Sequence, residues 1–204
     1  YFEAVSFLFN TTTLGQINEY KMNKSAKYQA ILSFIMVFIF GCYNAPTPLK
    51  IGVIGSGRMG GSVGLRWAEA GHEILFSSRH PDQLSDLVTQ AGPRARAGYP
   101  QEAAEFGDII FIAVPYAATP QVGRDYGPLM QGKIVIDCGN PYVQRDGEMA
   151  AVALEKGTGV ASAEFLPGVK LVRAFNALSW VEVNEQAHRE GELIAIPIAG
   201  DDQE

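Results

Sequence analysis

A chain of 204 residues has room for one sizeable domain and an appendage, because domains usually hold about 100 to 200 residues. Its formal net charge of -6 and its sequence pI near 5.1 argue against a nucleic-acid partner, since phosphate backbones are bound by positively charged surfaces. Two cysteines, Cys42 and Cys138, stand far apart in unlike contexts, which predicts neither a disulfide framework nor a metal site.

The first 48 residues differ from the rest of the chain. Lysines precede an apolar run, Ala30 to Phe40, which ends shortly before Cys42. The run is shorter than the ~20 residues that span a bilayer, but its basic flank and its length are typical of a secretory or lipoprotein signal. We therefore expect residues 1–48 to form a signal-like or membrane-associating extension, and residues 49–204 to form the folded domain. The alternative is an extra N-terminal helix packed on that domain.

From Leu49 onward, short apolar runs alternate with segments of helical spacing or loop character. The predicted strands are LKIGVIG (49–55), HEILFSS (72–78), GDIIFIAVP (107–115), KIVIDCGNP (133–141), VKLVRAFN (169–176) and ELIAIPIAG (192–200). Near-continuous apolar strands that alternate with helices are typical of a doubly wound parallel sheet. We therefore predict an α/β fold with a doubly wound parallel sheet of the Rossmann type.

The first predicted strand is followed by the turn GSGRMG, a G-x-G-x-x-G pattern formed by Gly55, Gly57 and Gly60. Gly55 permits the tight turn, Gly57 lets the backbone approach a pyrophosphate, and Gly60 lets the next helix lie close to the sheet. Free N–H groups at the start of that helix then face the anion. Between a strand and a helix this pattern indicates dinucleotide binding.

The second predicted strand ends on Ser77, Ser78 and Arg79. In NAD-binding domains of this fold, an Asp or Glu about 20 residues after the first glycines binds the ribose 2'-hydroxyl. An arginine can instead form two charge-assisted hydrogen bonds with a 2'-phosphate, and a serine can add another. The residues therefore predict NADP as the cofactor. The alternative is a solvated arginine in a surface turn.

The order and spacing of several segments resemble the F420-dependent NADP oxidoreductase family, which includes the reductase domains of the STEAP metalloreductases. The segments are IGVIGSGRMGGSVGLRWAEAGHEILFSSR, then AVP, IDCGNP and LPGVKLVRAFN, and the likeness spans about residues 50 to 202. The resemblance implies a set of cofactor contacts: the pyrophosphate with Ser56, Gly57, Arg58 and Met59, the 2'-phosphate with Ser78 and Arg79, and the nicotinamide with Val114, Pro115 and Tyr116. It also implies a further helix and strand at the C-terminus, so we expect the chain to be truncated there.

One departure from the family concerns the helix after Arg79. Members of the family can carry a further basic residue there, where this chain has Asp82 and Gln83. The substitution is expected to weaken the preference for NADP without reversing it.

Three loops after the later strands should meet at the carboxyl edge of the sheet, where ligands of such folds bind: Pro115–Tyr116, Asn140–Tyr142 and Asn176–Ser179. We expect Asn140 and Asn176 to contact cofactor or substrate there, with a role in forming turns as the alternative. Trp67 and Trp180 are interpreted as packing residues, and Cys138 as a small packed residue. No His–Asp pair or lysine stands in a catalytic position, so we predict no catalytic side chain; hydride transfer depends mainly on the alignment of two rings.

The function predicted from the resemblance is hydride transfer between NADP(H) and a small redox acceptor, either F420-like or a flavin. A non-catalytic NADP(H)-binding sensor or partner-docked subunit is the alternative, and a homodimer stays open. A domain that consumes NADPH is expected where NADPH is regenerated, in the cytoplasm. The signal-like segment leaves a membrane-anchored lipoprotein as the alternative.

Overall fold

The protein is described here from a computed structural model over residues 47–192 and 194–200. The predicted extension therefore lies almost wholly outside the described residues, as do the last four residues of the chain. Within the described ranges no helix combines the length and the apolar character that crossing a membrane requires.

A seven-stranded sheet forms the centre of the domain, in the order β3-β2-β1-β4-β5-β6-β7. The strands are β1 (Lys50–Ile54), β2 (Glu73–Ser77), β3 (Ala95–Gly98), β4 (Ile109–Ile112), β5 (Ile134–Asp137), β6 (Lys170–Ala174) and β7 (Ile198–Gly200). All neighbouring pairs from β3 to β6 are parallel. The predicted doubly wound α/β fold is confirmed.

Helices connect the strands and flank the sheet. They are α1 (Arg58–Glu69), α2 (Ser85–Ala91), α3 (Pro100–Phe106), α4 (Thr119–Met130), α5 (Val143–Asp146), α6 (Glu148–Lys156), α7 (Thr158–Phe165) and α8 (Trp180–Gln186). Short 3-10 turns, Pro81–Leu84 and Tyr116–Ala118, precede α2 and α4.

The apolar strands bury side chains on both faces of the sheet, because successive side chains of a strand point to opposite faces. In β2, Leu75 belongs to one buried cluster, while Ile74 and Phe76 belong to the other. In β4, Ile110 and Phe111 divide in the same way. This two-sided burial explains why the central strands read as continuous apolar runs.

Two features of the sheet differ from the prediction. The last predicted strand, 192–200, is a strand only over Ile198–Gly200, and it pairs antiparallel with β6. Strand β3 was not predicted, because its sequence ARAG contains a polar residue, Arg96, and no large apolar side chain. It lies at the edge of the sheet, where only one neighbouring strand contributes to its burial.

Candidate functional site

The candidate site lies where the order of the strands reverses. Strands β1 and β4 are neighbours, and the chain continues from β1 toward β2 on one side and from β4 toward β5 on the other. Such a reversal leaves a crevice at the carboxyl ends of the strands, which is where ligands bind in open α/β sheets.

The glycine turn between β1 and α1 has the shape that its sequence predicts. Gly55 has φ +94°, and a Cβ there would meet the carbonyl oxygen of Ala113 at 2.8 Å. A Cβ on Gly60 would collide with the carbonyl oxygen of Gly55. A Cβ on Gly57, by contrast, would meet no atom within 4 Å. The turn is therefore closed on its protein side and open at Gly57, where a ligand can approach the backbone.

Two further observations fit an anionic group at this turn. The hydroxyl oxygen of Ser56 is buried and has no hydrogen-bond partner in the described part of the chain. Helix α1 begins at Arg58, and the first N–H groups of a helix have no partner within it. A hydroxyl and unpaired N–H groups at a helix start suit the pyrophosphate of a dinucleotide. The residues present thus fit the predicted cofactor.

The last residue of β2, Ser77, and the two residues that follow it have three different environments. Ser77 is fully buried, and its hydroxyl donates to the carbonyl oxygen of Val53 at 2.7 Å. The hydroxyl of Ser78 accepts the backbone N–H of His80 at 3.0 Å. Arg79 is exposed, and its guanidinium has no hydrogen bond or ion pair with the residues that the structure describes. Ser77 therefore stabilises the fold, whereas the guanidinium of Arg79 is accessible from solvent.

A pocket of about 340 Å³ opens beside the glycine turn, at the ends of β4, β5 and β6. It is lined by Met59, Ala113, Val114, Pro115, Cys138, Gly139, Asn140, Tyr142, Arg145, Phe175, Leu178, Ser179 and Trp180. Four of the predicted contact residues thus share one pocket: Met59, Val114, Pro115 and Asn140. The structure brings them together from α1 and from the ends of β4 and β5.

The prediction that the Tyr116 side chain lines the nicotinamide region is corrected by the structure. Tyr116 is fully buried, outside the lining of the pocket. Its phenol oxygen lies 3.1 Å from the hydroxyl of Ser162 and donates to the carbonyl oxygen of Thr158 at 3.3 Å. Burial raises its pKa. The side chain therefore packs against α7, because a buried hydroxyl needs partners that the protein supplies there.

The two asparagines join the loops after β5 and β6. The side-chain amide of Asn140 donates to the carbonyl oxygen of Asn176 at 2.7 Å. The amide of Asn176 donates to the carbonyl oxygen of Gly139 at 3.2 Å. Both side chains thus hydrogen-bond to the backbone of the other loop, and Asn140 also lines the pocket. These bonds link two loops rather than close a local turn, and contact with cofactor or substrate stays a prediction.

Trp180 has a different role from the one predicted. Trp67 packs in the core, with its ring 5.1 Å from that of Phe111, as predicted. Trp180 is 39% exposed and lines the pocket, and the guanidinium carbon of Arg58 lies 5.4 Å from the centre of its ring. It is the first residue of α8, whose start is fixed by reciprocal hydrogen bonds between Ser179 and Glu182.

Phe175 connects β6 to this part of the pocket. It has φ +65°, a left-handed conformation that is uncommon for a bulky residue. Its ring packs edge-on against Trp67 at 5.9 Å and against Phe111 at 5.8 Å. This packing holds the backbone at the point where the chain leaves the sheet for the loop before Trp180.

Cys138 lines the pocket, and its thiol is hydrogen-bonded to the protein. Its thiol donates to the carbonyl oxygen of Ile112 at 3.4 Å. Burial, together with the negative charge of Asp137, raises its pKa to about 12. The thiol therefore stays protonated at neutral pH, in agreement with its interpretation as a small packed residue.

Residues 50–141 match the family model for NADP oxidoreductases, coenzyme F420-dependent. The resemblance predicted from the sequence is confirmed.

The chain is also similar to the metalloreductase STEAP3 of Rattus norvegicus, with 26% identity over 133 residues. The match covers 64% of this chain and 25% of that protein, so the chain spans about a quarter of the length of this relative.

Two solved structures share the fold. One is a proposed F420-dependent NADP reductase of Arthrobacter sp. FB24, with a TM-score of 0.64 and 19% identity over 76% of this chain and 74% of that one. The other is a hypothetical protein of Sinorhizobium meliloti, with a TM-score of 0.63 and 20% identity over 80% of this chain and 78% of that one.

The family match ends at Pro141, so only part of the pocket lining lies within the matched segment. The glycine turn, Val114, Pro115 and Asn140 lie within the matched segment. Met59, Ala113, Cys138 and Gly139 lie within it as well, whereas six lining residues lie beyond it: Tyr142, Arg145, Phe175, Leu178, Ser179 and Trp180. Tyr142, Leu178 and Ser179 belong to loops that the sequence predicted to converge at this edge, but no contact was predicted for any of the six. Their signal in the sequence is their position at the end of a predicted strand or in the segment that follows one.

Proposed function

We propose that the protein is an oxidoreductase that transfers hydride between NADP(H) and an aromatic acceptor of the F420 or flavin type. The observation that carries the choice of NADP is Arg79, which stands exposed at the end of β2, where NAD-binding domains of this fold place a carboxylate. The names of the family and of the Arthrobacter protein support the same cofactor.

The chain offers a place for each part of the cofactor. The Gly55–Gly60 turn and the Ser56 hydroxyl would hold the pyrophosphate, and Arg79 would bind the 2'-phosphate, assisted by Ser78. Val114 and Pro115 would lie beside the nicotinamide. When bound, NADPH supplies the hydride.

The lining of the pocket suits hydride transfer better than acid–base chemistry. It contains no Asp, Glu, His or Lys among the described residues, and its one thiol is held protonated. A hydride passes between two rings that are held close and parallel, so the protein contributes alignment rather than proton transfer.

The experiment that tests this proposal is an assay of NADPH oxidation with a panel of acceptors. F420, FMN and a ferric chelate would be compared, the last because the rat relative is a metalloreductase. We expect oxidation with F420 or FMN, and none in a Gly57→Val variant. Tight NADPH binding without oxidation by any acceptor would contradict the proposal and favour a sensor. Because NADPH is regenerated in the cytoplasm, we propose that the domain works there.

A further inference from the structure

We propose that Arg145 determines acceptor specificity, by selecting an aromatic acceptor that carries an anionic group. The inference rests on the proposed function and names the acceptor class for the same pocket. Arg145 lies beyond the segment that matches the family model.

The order of the strands places Arg145 on the acceptor side of the pocket. The phosphate turn follows β1, Val114 and Pro115 follow β4, and Arg145 follows β5, which is the next strand along the sheet. Neighbouring strands lie about 4.8 Å apart, so the end of β5 is roughly 10 Å from the end of β1. A nicotinamide beside Val114 would therefore leave the space near Arg145 for the second substrate.

The charge of the pocket wall is positive at this point. Among the lining residues Arg145 is the charged one, and none is a carboxylate. The side chain of Arg145 is 45% exposed, whereas its partner Asp146 is only 1% exposed. A ligand in the pocket thus meets the guanidinium rather than the carboxylate behind it.

Asp146 positions the guanidinium for this contact. Arg145 donates to the carboxylate through Nε at 2.9 Å and through Nη2 at 2.7 Å, and Nη2 also donates to the carbonyl oxygen of Asn140 at 2.8 Å. The same carboxylate accepts the backbone N–H groups of Ala117 at 3.3 Å and Tyr142 at 2.9 Å. Nη1 has no hydrogen-bond partner within the described part of the chain. Its two N–H groups are therefore left to bind an anion.

Two exposed rings make the same pocket suitable for a planar acceptor. Tyr142 is 53% exposed, and the guanidinium carbon of Arg145 lies 5.0 Å from the centre of its ring. Trp180 lines the pocket as well and is also partly exposed. Exposed aromatic faces next to a fixed cation favour a flat aromatic ligand with a negative charge.

The anionic group can belong to the acceptor's tail or to its ring, and ligand binding distinguishes the two. Riboflavin is neutral, FMN adds a tail phosphate to the same ring, and a tail-free hydroxy-deazaflavin carries its charge on the ring when its hydroxyl is ionised. Binding of each to the protein saturated with NADP+ would be measured by fluorescence titration. NADP+ binding itself would be measured separately by calorimetry, so that a failure of the proposed function is recognised independently.

We expect the unmutated protein to bind at least one anionic probe more tightly than riboflavin. Arg145→Gln should weaken that probe by about 10- to 150-fold, the effect of one charge-assisted hydrogen bond, and leave riboflavin and NADP+ within about 2-fold. Arg145→Lys should recover part of the loss because it keeps the charge. The matched control is Arg124→Gln, an exposed arginine on α4 that should change nothing.

Three results would overturn the proposal. The first is riboflavin bound as tightly as both anionic probes, and the second is no probe bound at all by protein that binds NADP+. The third is an equal loss of riboflavin and anionic probes in Arg145→Gln, which would show that Arg145 only ties the loop together.

Discussion

Arg173 and Asp137 face each other across β5 and β6 and together hold the loop that forms one wall of the pocket. The Arg173 guanidinium donates to the Asp137 carboxylate and, through Nη2, to the carbonyl oxygen of Gly139 at 2.6 Å. The carboxylate accepts the backbone N–H of Gly139 at 2.7 Å and the hydroxyl of Ser162 at 2.7 Å. The backbone of Gly139 is thus held at both its N–H and its carbonyl oxygen.

Removal of the cation should destabilise the fold. The side chain of Asp137 is 1% exposed, so Arg173→Gln leaves a buried charge without its partner. We expect a loss of about 3 to 5 kcal/mol in the free energy of unfolding, measured by urea denaturation. The control is Lys156→Gln, which breaks the exposed Lys156–Glu164 pair and should cost less than about 1 kcal/mol. Equal effects in the two variants would contradict the role of the buried pair.

Replacement of Gly57 by valine should abolish nucleotide binding without loss of stability. Gly57 has φ -75°, so a side chain there does not require the left-handed region, and no protein atom lies within 4 Å of a Cβ at this position. The new methyl groups would occupy the space through which a pyrophosphate approaches the backbone. Calorimetry with NADPH and thermal unfolding check both parts.

The matched variant at the same turn is Gly60→Ala, which, unlike Gly57→Val, should destabilise the fold. Its Cβ would collide with the carbonyl oxygen of Gly55, so the melting temperature should fall. If Gly57→Val kept its NADPH affinity, or lost stability as Gly60→Ala does, the placement of the phosphates would be wrong.

Replacement of Arg79 by alanine should remove most of the preference for NADPH over NADH. The exposed guanidinium can form charge-assisted hydrogen bonds with the 2'-phosphate, which contribute about 1.5 to 3 kcal/mol, or about 10- to 150-fold in affinity. Binding of NADH, which lacks that phosphate, should change little. Titration calorimetry with both nucleotides measures the ratio, and equal affinities in the unmutated protein would contradict the assignment.

The Asp146 carboxylate should make stability depend on pH in the acid range. Hydrogen bonds from Arg145, opposed in part by burial, lower the pKa of Asp146 from its usual 3.8 to about 2. A lowered pKa in the folded state stabilises the protein above pH 3.8, and this contribution is lost as the pH falls toward 2.

The comparison that isolates this contribution is between the unmutated protein and Asp146→Asn. Because Arg145 is partly exposed, we expect a difference of only roughly 1 to 2 kcal/mol in the free energy of unfolding at pH 6. The difference should shrink between about pH 4 and pH 2, as urea denaturation across that range would show. A difference that is independent of pH would contradict the shifted pKa.

The thiol of Cys138 should resist alkylation in the folded protein. Only the thiolate reacts, and a pKa of about 12 leaves about one thiol in ten thousand ionised at pH 8. Mass spectrometry of a Cys42→Ser variant treated with iodoacetamide should show labelling in urea and almost none without it. Rapid labelling of the folded protein would mean that the thiol is less protected than its burial indicates.

The central strands and the phosphate turn were predictable because their causes are local in sequence. Strands β1, β2 and β4 are buried on both faces, which requires continuous apolar runs, and the steric demands on Gly55 and Gly60 allow no other residue. The edge strand β3 is less buried, so its sequence needs no apolar run and contains none. The prediction that the last strand is parallel to its neighbour was wrong, because an apolar run does not determine whether a strand pairs parallel or antiparallel.

The wall of the pocket, by contrast, depends on residues far apart in the chain. Arg145 and Trp180 line one cavity because β5 and β6 are neighbouring strands. The sequence around either residue does not indicate that these two strands are neighbours. The side chain of Tyr116 lies outside the pocket lining, where its buried hydroxyl forms a hydrogen bond with Ser162, 46 residues later in the chain. The sequence by itself determined the shape of the glycine turn, since steric fit of the backbone is local. Only the tertiary structure decided which side chains line the pocket beside it, since partners for buried polar groups come from distant segments.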